Sequence, residues 1–127
     1  MQRNPVGWFE IYVQNLSRAK EFYEGVLAVK LDKLESTAPG ISEMWALPMK
    51  QDAPGAAGAL VQMPGGPAGG GASTIVYFTS EDCAIEVARV PAHGGKVKKS
   101  KTSIGPYGFI ALVEDPEGNV IGIHSLK

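Results

Sequence analysis

A chain of 127 residues with 12 basic and 13 acidic side chains has a formal net charge of −1, which suits one ordinary domain and lacks the positive excess of a nucleic-acid surface. No run of 18 apolar residues is present, and the start, Met1 to Pro5, lacks an apolar export segment, so a soluble cytoplasmic protein with no membrane partner is expected. The single cysteine, Cys83, excludes an internal disulfide.

In chain order, Phe9, Ile11 and Val13 alternate with Trp8, Glu10 and Tyr12, the period of a strand whose two faces meet different surroundings. Asn15 then stands as N-cap of a helix carrying Leu16, Ala19, Phe22, Tyr23, Val26 and Leu27 at spacings of three and four, a stripe for a sheet to cover. Strands are expected over about 29–35, 44–47 and 59–63, separated by turns around Pro39-Gly40 and Pro54-Gly55. A strand over 74–79 leads into a helix capped near Ser80 to Asp82 and ended by Pro91 and Gly94-Gly95. Strands near 96–100, 108–114 and 119–125 complete the chain, the last two joined by Asp115-Pro116-Glu117-Gly118-Asn119.

The two halves repeat at an offset of 67, residues 8–16 returning as residues 75–83. Each half therefore reads βαβββ: module 1–63, module 73–127, and a Gly-rich linker over 64–72. A repeated unit that cannot bury its own apolar face does so against its copy, which makes the space between copies the natural place for function. The glycine-rich stretch is not a phosphate loop, because a strand rather than a helix N-terminus follows it. A flexible linker leaves open a domain-swapped homodimer. Cys83 repeats the position of Leu16, an apolar first-turn position, and so is expected as a buried structural thiol. Lys96, Lys98, Lys99 and Lys101 read as a solvated strand edge.

The strand-cap-helix stretch ending Arg18-Ala19-Lys20-Glu21-Phe22-Tyr23, the exit Ala92-His93-Gly94-Gly95, and the turn from Asp115 to Asn119 occur in order and at matching spacing. Together they resemble the vicinal oxygen chelate superfamily, the glyoxalase, bleomycin-resistance and extradiol-dioxygenase group, over nearly the whole chain. The resemblance implies a single α+β domain: two βαβββ modules in tandem forming a cup-shaped mixed sheet with helices on the outside, around a small-molecule site. Many members hold a divalent metal there. The ligand positions that the family would place on this chain fall at Trp8, Ile75 and Gly122, none of which carries a donor suited to a metal.

Strand period supplies the alternative constellation. Two residues along from those positions stand Glu10, Tyr77 and His124, each able to exchange a proton or donate a hydrogen bond. Glu10, within a half-buried strand, requires a partner. It reads either as a general base or orienting carboxylate, with His124 or Tyr77 as partner, or as a buried carboxylate held for shape alone. Trp8, Tyr12 and Trp45 are candidate pocket residues, and Gln62 a further ligand contact. Gly105-Pro106-Tyr107-Gly108 reads as a lid or as a plain turn.

Three functions remain open on these residues. The first is a small-molecule-binding protein, extending to a metal-independent enzyme of lyase or isomerase type that acts on a small polar or carbonyl compound through Glu10, Tyr77 and His124. The second is a non-catalytic module that sequesters an antibiotic or other flat or cationic ligand by aromatic stacking. The third is a metal-dependent lyase or dioxygenase with shifted ligands, for which Glu10 and His124 are the available donors. The first two need no cofactor, and a small molecule and a second copy of the chain are the expected partners.

Overall fold

The computed structural model describes residues 3–35, 40–41, 43–65 and 73–127. Most of the expected linker, residues 66–72, and the turn residue Pro39 lie outside the described residues. The chain divides into two compact units, Trp8–Thr74, and Met1–Gly7 with Ile75–Lys127. Strand β1 (Val6–Tyr12) thus crosses from one unit into the other. The class is α+β, and the expected βαβββ order occurs twice.

In the unit Trp8–Thr74, β1 is followed by helix α1 (Leu16–Leu27) and strands β2 (Asp32–Leu34), β3 (Glu43–Ala46) and β4 (Ala57–Gln62), in the spatial order β2-β3-β4-β1. The β1–β4 pair is parallel and the others antiparallel. Asn15 caps α1 by accepting from the Arg18 N–H at 3.0 Å. Leu16, Leu31 and Leu60 form the core of this layer, with Ile11, Val13, Ala19, Tyr23 and Trp45 packed on it. The expected apolar stripe is wider than the face that packs: Phe22, Val26 and Leu27 are 58, 65 and 50 % exposed. A helix advances 100° per residue, so once Leu16, Ala19 and Tyr23 meet the sheet, Phe22 and Val26 lie round its flank.

In the other unit, β5 (Thr74–Thr79) precedes α2 (Cys83–Arg89), β6 (Lys96–Ser103), β7 (Phe109–Glu114) and β8 (Val120–Ser125), in the order β5-β8-β7-β6. Again the β5–β8 pair is parallel and the remaining pairs antiparallel. Asp82 caps α2 through the Ala84 N–H at 3.0 Å. Cys83, fully buried, opens α2 as Leu16 opens α1, and packs with Ala111, Val113 and Ile123. Two strands depart from their expected bounds by three residues at one end. β2 is only three residues long, because the Leu31 N–H turns instead to Glu24 Oε2 at 2.8 Å. β6 runs on to Ser103 by absorbing register shifts near Lys99.

Candidate functional site

The unit Trp8–Thr74 gathers three of the expected residues on one face of β1. Period two brings Trp8, Glu10 and Tyr12 to the same side, opposite the side on which Ile11 meets the α1 core. Glu10 is 7 % exposed. Its Oε2 accepts from the Trp8 indole Nε1–H at 3.1 Å and its Oε1 from the Tyr12 hydroxyl at 2.8 Å. Two donors from its own strand therefore orient the carboxylate and offset part of its desolvation. Across the parallel β1–β4 register Trp8 lies opposite Ala57 and Glu10 opposite Ala59, and Ala46 stands beyond Ala59 on β3. These small neighbours leave the aromatic groups room to fold over Glu10.

Trp45 and Gln62 take the other face of this sheet. Trp45 lies opposite Leu60 in the β3–β4 register, packs with the α1 core, and donates its Nε1–H to Glu43 Oε2 at 2.6 Å. Lys20 Nζ stands 4.6 Å from its ring centroid. Gln62 Oε1 accepts the Leu16 N–H at 2.9 Å, serving the open N-terminus of α1. Both side chains are thus separated from the Glu10 group by the thickness of the sheet.

In the other unit, Tyr77 and His124 share the face of the sheet turned away from Cys83 and Ile123. Tyr77 is 3 % exposed and pairs with Gly122, while His124 lies beside Thr79 on one side and Ile110 on the other. The Tyr77 ring lies flat over Gly122: a Cβ placed there would stand 2.2 Å from Tyr77 Cδ1. The half-buried His124 reaches Tyr107 O through Nε2 at 2.6 Å. Tyr107 ends a short 3-10 turn, Gly105–Tyr107, where the sequence leaves a lid or a plain turn open. Gly108 follows with φ 102°, and a Cβ there would meet Ser125 O at 2.4 Å. Only glycine allows so close an approach of turn to strand.

The shifted carboxylates lie elsewhere. Asp82 is held below its ordinary 3.8 chiefly by the Lys101 ammonium hydrogen-bonded to it at 2.9 Å, then by the Ala84 N–H. Asp115 is lowered first by the Asn119 side chain and then by backbone N–H groups of its own turn, and Glu24 first by the Leu31 N–H. All three serve caps and turns.

Among the described residues no group of three or more His, Cys, Asp or Glu is placed to hold a metal ion. The positions implied for family ligands offer an indole at Trp8, an alkyl chain at Ile75, and at Gly122 a hydrogen covered by the Tyr77 ring. These donors do not fit a divalent cation.

Strand-period reasoning finds Glu10 but misses what holds it, since Trp8 and Tyr12 read as pocket lining rather than as donors. The spacing Trp8-x-Glu10-x-Tyr12 was the available signal. The Tyr107 carbonyl has none, because a backbone acceptor carries no sequence mark.

The family model described as Glyoxalase/Bleomycin resistance protein/Dioxygenase superfamily matches residues 6–123. The chain belongs to this superfamily. Its fold is similar to that of the hypothetical protein BH1468 of Bacillus halodurans C-125, with a TM-score of 0.71, 12 % identity, and coverage of 96 % of this chain and 94 % of that one. A variant of Streptomyces coelicolor methylmalonyl-CoA epimerase in complex with 2-nitronate-propionyl-CoA gives a TM-score of 0.69 at 15 % identity, covering 96 % of each chain. The Mycobacterium tuberculosis methylmalonyl-CoA epimerase gives 0.66 at 14 % identity, covering 97 % of this chain and 88 % of that one. At such identities the likeness is one of fold. No curated protein sequence matches significantly. No helix among the described residues is long and apolar enough to cross a membrane.

Proposed function

We propose that this glyoxalase-superfamily chain binds a small polar or carbonyl compound and, without a metal, takes a proton from it with Glu10. The supporting observation is a buried carboxylate fixed by two aromatic donors on its own strand. A base must be oriented before its proton affinity is of use, and Trp8 and Tyr12 supply that orientation. Removal of a proton beside a carbonyl is an isomerase-type reaction when the proton returns at another position, and a lyase-type one when the freed electron pair forms a double bond and expels a leaving group from the neighbouring carbon. An acyl-CoA analogue in a protein of similar fold supports including thioesters among the compounds tried.

Glu10→Gln is the test. The amide keeps the size of the side chain and cannot accept the proton, so turnover of any compound found by screening should fall about 100-fold or more. Turnover unchanged in that variant would remove Glu10 from the role.

A second reading draws on the same cluster. An indole, a phenol and a carboxylate side by side suit a flat cation, so the chain would sequester such a ligand, an antibiotic among them, without changing it. Thermal stabilisation by cationic aromatic compounds with no product formed supports this alternative, and formation of product ends it.

A further inference from the structure

We propose that the turn at residues 105–108 makes His124 a second ligand-binding group, holding its ring as the Nε2–H tautomer so that Nδ1 accepts a hydrogen bond from a small-molecule hydroxyl. This rests on the reading of the chain as a small-molecule-binding protein, but on different atoms.

A carbonyl oxygen can only accept, so the 2.6 Å contact of His124 Nε2 with Tyr107 O requires the proton on Nε2. A neutral imidazole has one donor nitrogen and one acceptor, which leaves Nδ1 bare. No described residue bonds to Nδ1, and no buried side-chain nitrogen or oxygen among the described residues lacks a partner, so Nδ1 reaches solvent. The carbonyl that fixes the tautomer is itself fixed. The Gly108 N–H donates to Gly105 O at 3.2 Å, the Ile104 N–H donates to Gly108 O at 2.9 Å, and Gly108 sits against Ser125 O with no room for a Cβ. On the same face, Thr79 and Ile110 flank the His124 ring, and Gly122 lies under the Tyr77 ring one pair further along. The ring is thus aimed by backbone on one nitrogen and open on the other. Its complement is a neutral donor, a hydroxyl above all.

Long-range 1H–15N NMR of the labelled protein, at a pH about two units above the usual histidine value of about 6.5, reads the tautomer directly. The Nε2–H form is expected, and a Nδ1–H form or an even mixture overturns the proposal. Hydroxyacetone and methoxyacetone, which differ by the one O–H donor, are then titrated. Hydroxyacetone should shift the His124 Nδ1 resonance and methoxyacetone should not; equal shifts, or none, overturn it. His124→Gln separates binding from support of the turn, because its amide nitrogen stands where Nε2 stood and still donates to Tyr107 O. It should keep the melting temperature and bind hydroxyacetone roughly three- to tenfold more weakly. Unchanged affinity in His124→Gln overturns the proposal. The Trp8 indole signal gives a separate readout: if it moves with hydroxyacetone while His124 stays still, this inference falls and the reading on Glu10 stands. A Glu10→Gln variant with full turnover fells that reading and leaves the tautomer measurement intact.

Discussion

The ring of Tyr77 occupies the space a side chain at Gly122 would need, with the hypothetical Cβ only 2.2 Å from its Cδ1 and 2.3 Å from its Cε1. Even a methyl group at residue 122 must push the buried ring aside. Gly122→Ala should therefore destabilise the fold by roughly 1–3 kcal/mol, as overpacking does. The two sites couple, so most of that loss should vanish when the same substitution is made in a Tyr77→Ala background. Urea unfolding of the four proteins measures both quantities, and additive effects would show that the ring is free to yield.

Tyr12 should matter to the stability of Glu10 as much as to any ligand. Tyr12→Phe keeps the ring and removes the hydroxyl that donates to Glu10 Oε1 at 2.8 Å. A buried carboxylate that loses one donor should weaken the fold by about 1–3 kcal/mol. Tyr12→Phe and Glu10→Gln combined should weaken it by less than the sum of the two, read from their denaturation midpoints.

Gln62 should act through α1. Its Oε1 takes the Leu16 N–H at the first turn, so Gln62→Leu strands a partly buried donor and should weaken the protein by roughly 1–2 kcal/mol. Ligand affinity should not change in that variant. A loss of affinity at unchanged stability would instead return Gln62 to the set of ligand contacts.

The doubled βαβββ order was legible because strand period, caps and turn residues are local signals, and they recur at one offset. Leu16 and Cys83 illustrate this: both open a helix and both are buried. Which face a residue takes was legible along β1, where Trp8, Glu10 and Tyr12 alternate with the core, and was lost across strands. Trp45 and Tyr12 look equivalent as aromatics, yet the β3–β4 register sets Trp45 opposite Leu60 on the α1 side. Register depends on long-range pairing, and a shift of one residue reverses every face. The turn carbonyl that meets His124 was illegible for a related reason, since the partners stand 17 positions apart in the chain and the acceptor belongs to the backbone.

Asp82 makes acid stability predictable in sign. Its folded carboxyl is held below 3.8 by Lys101 and by the cap bond to Ala84, so the unfolded chain binds the proton more readily. The stabilisation is full above the unfolded value and is lost as pH falls through the lower, folded one. Glu24 and Asp115, also lowered, act in the same direction. The melting temperature should drop on acidification below about pH 4, and Asp82→Asn should flatten part of that slope. An unchanged slope would assign acid sensitivity to the other carboxylates alone.

Helix α1 ends on Ala28 in the left-handed region, φ 53° and ψ 47°, while its N–H bonds to Glu24 O. A Cβ there costs about 1–2 kcal/mol that glycine avoids. Ala28→Gly should raise the melting temperature, read by calorimetry, provided the more flexible unfolded chain does not offset the gain.

Each unit contains one aromatic ring laid over a glycine across its parallel strand pair, Phe9 over Gly58 and Tyr77 over Gly122. Phe9 belongs to the side of its sheet that meets the helix, and Tyr77 to the side that does not. One ring therefore thickens the layer under its helix, and the other, itself 3 % exposed, fills the opposite face of its parallel pair. A side chain at residue 122 would therefore need a second change, at residue 77, to make room for it.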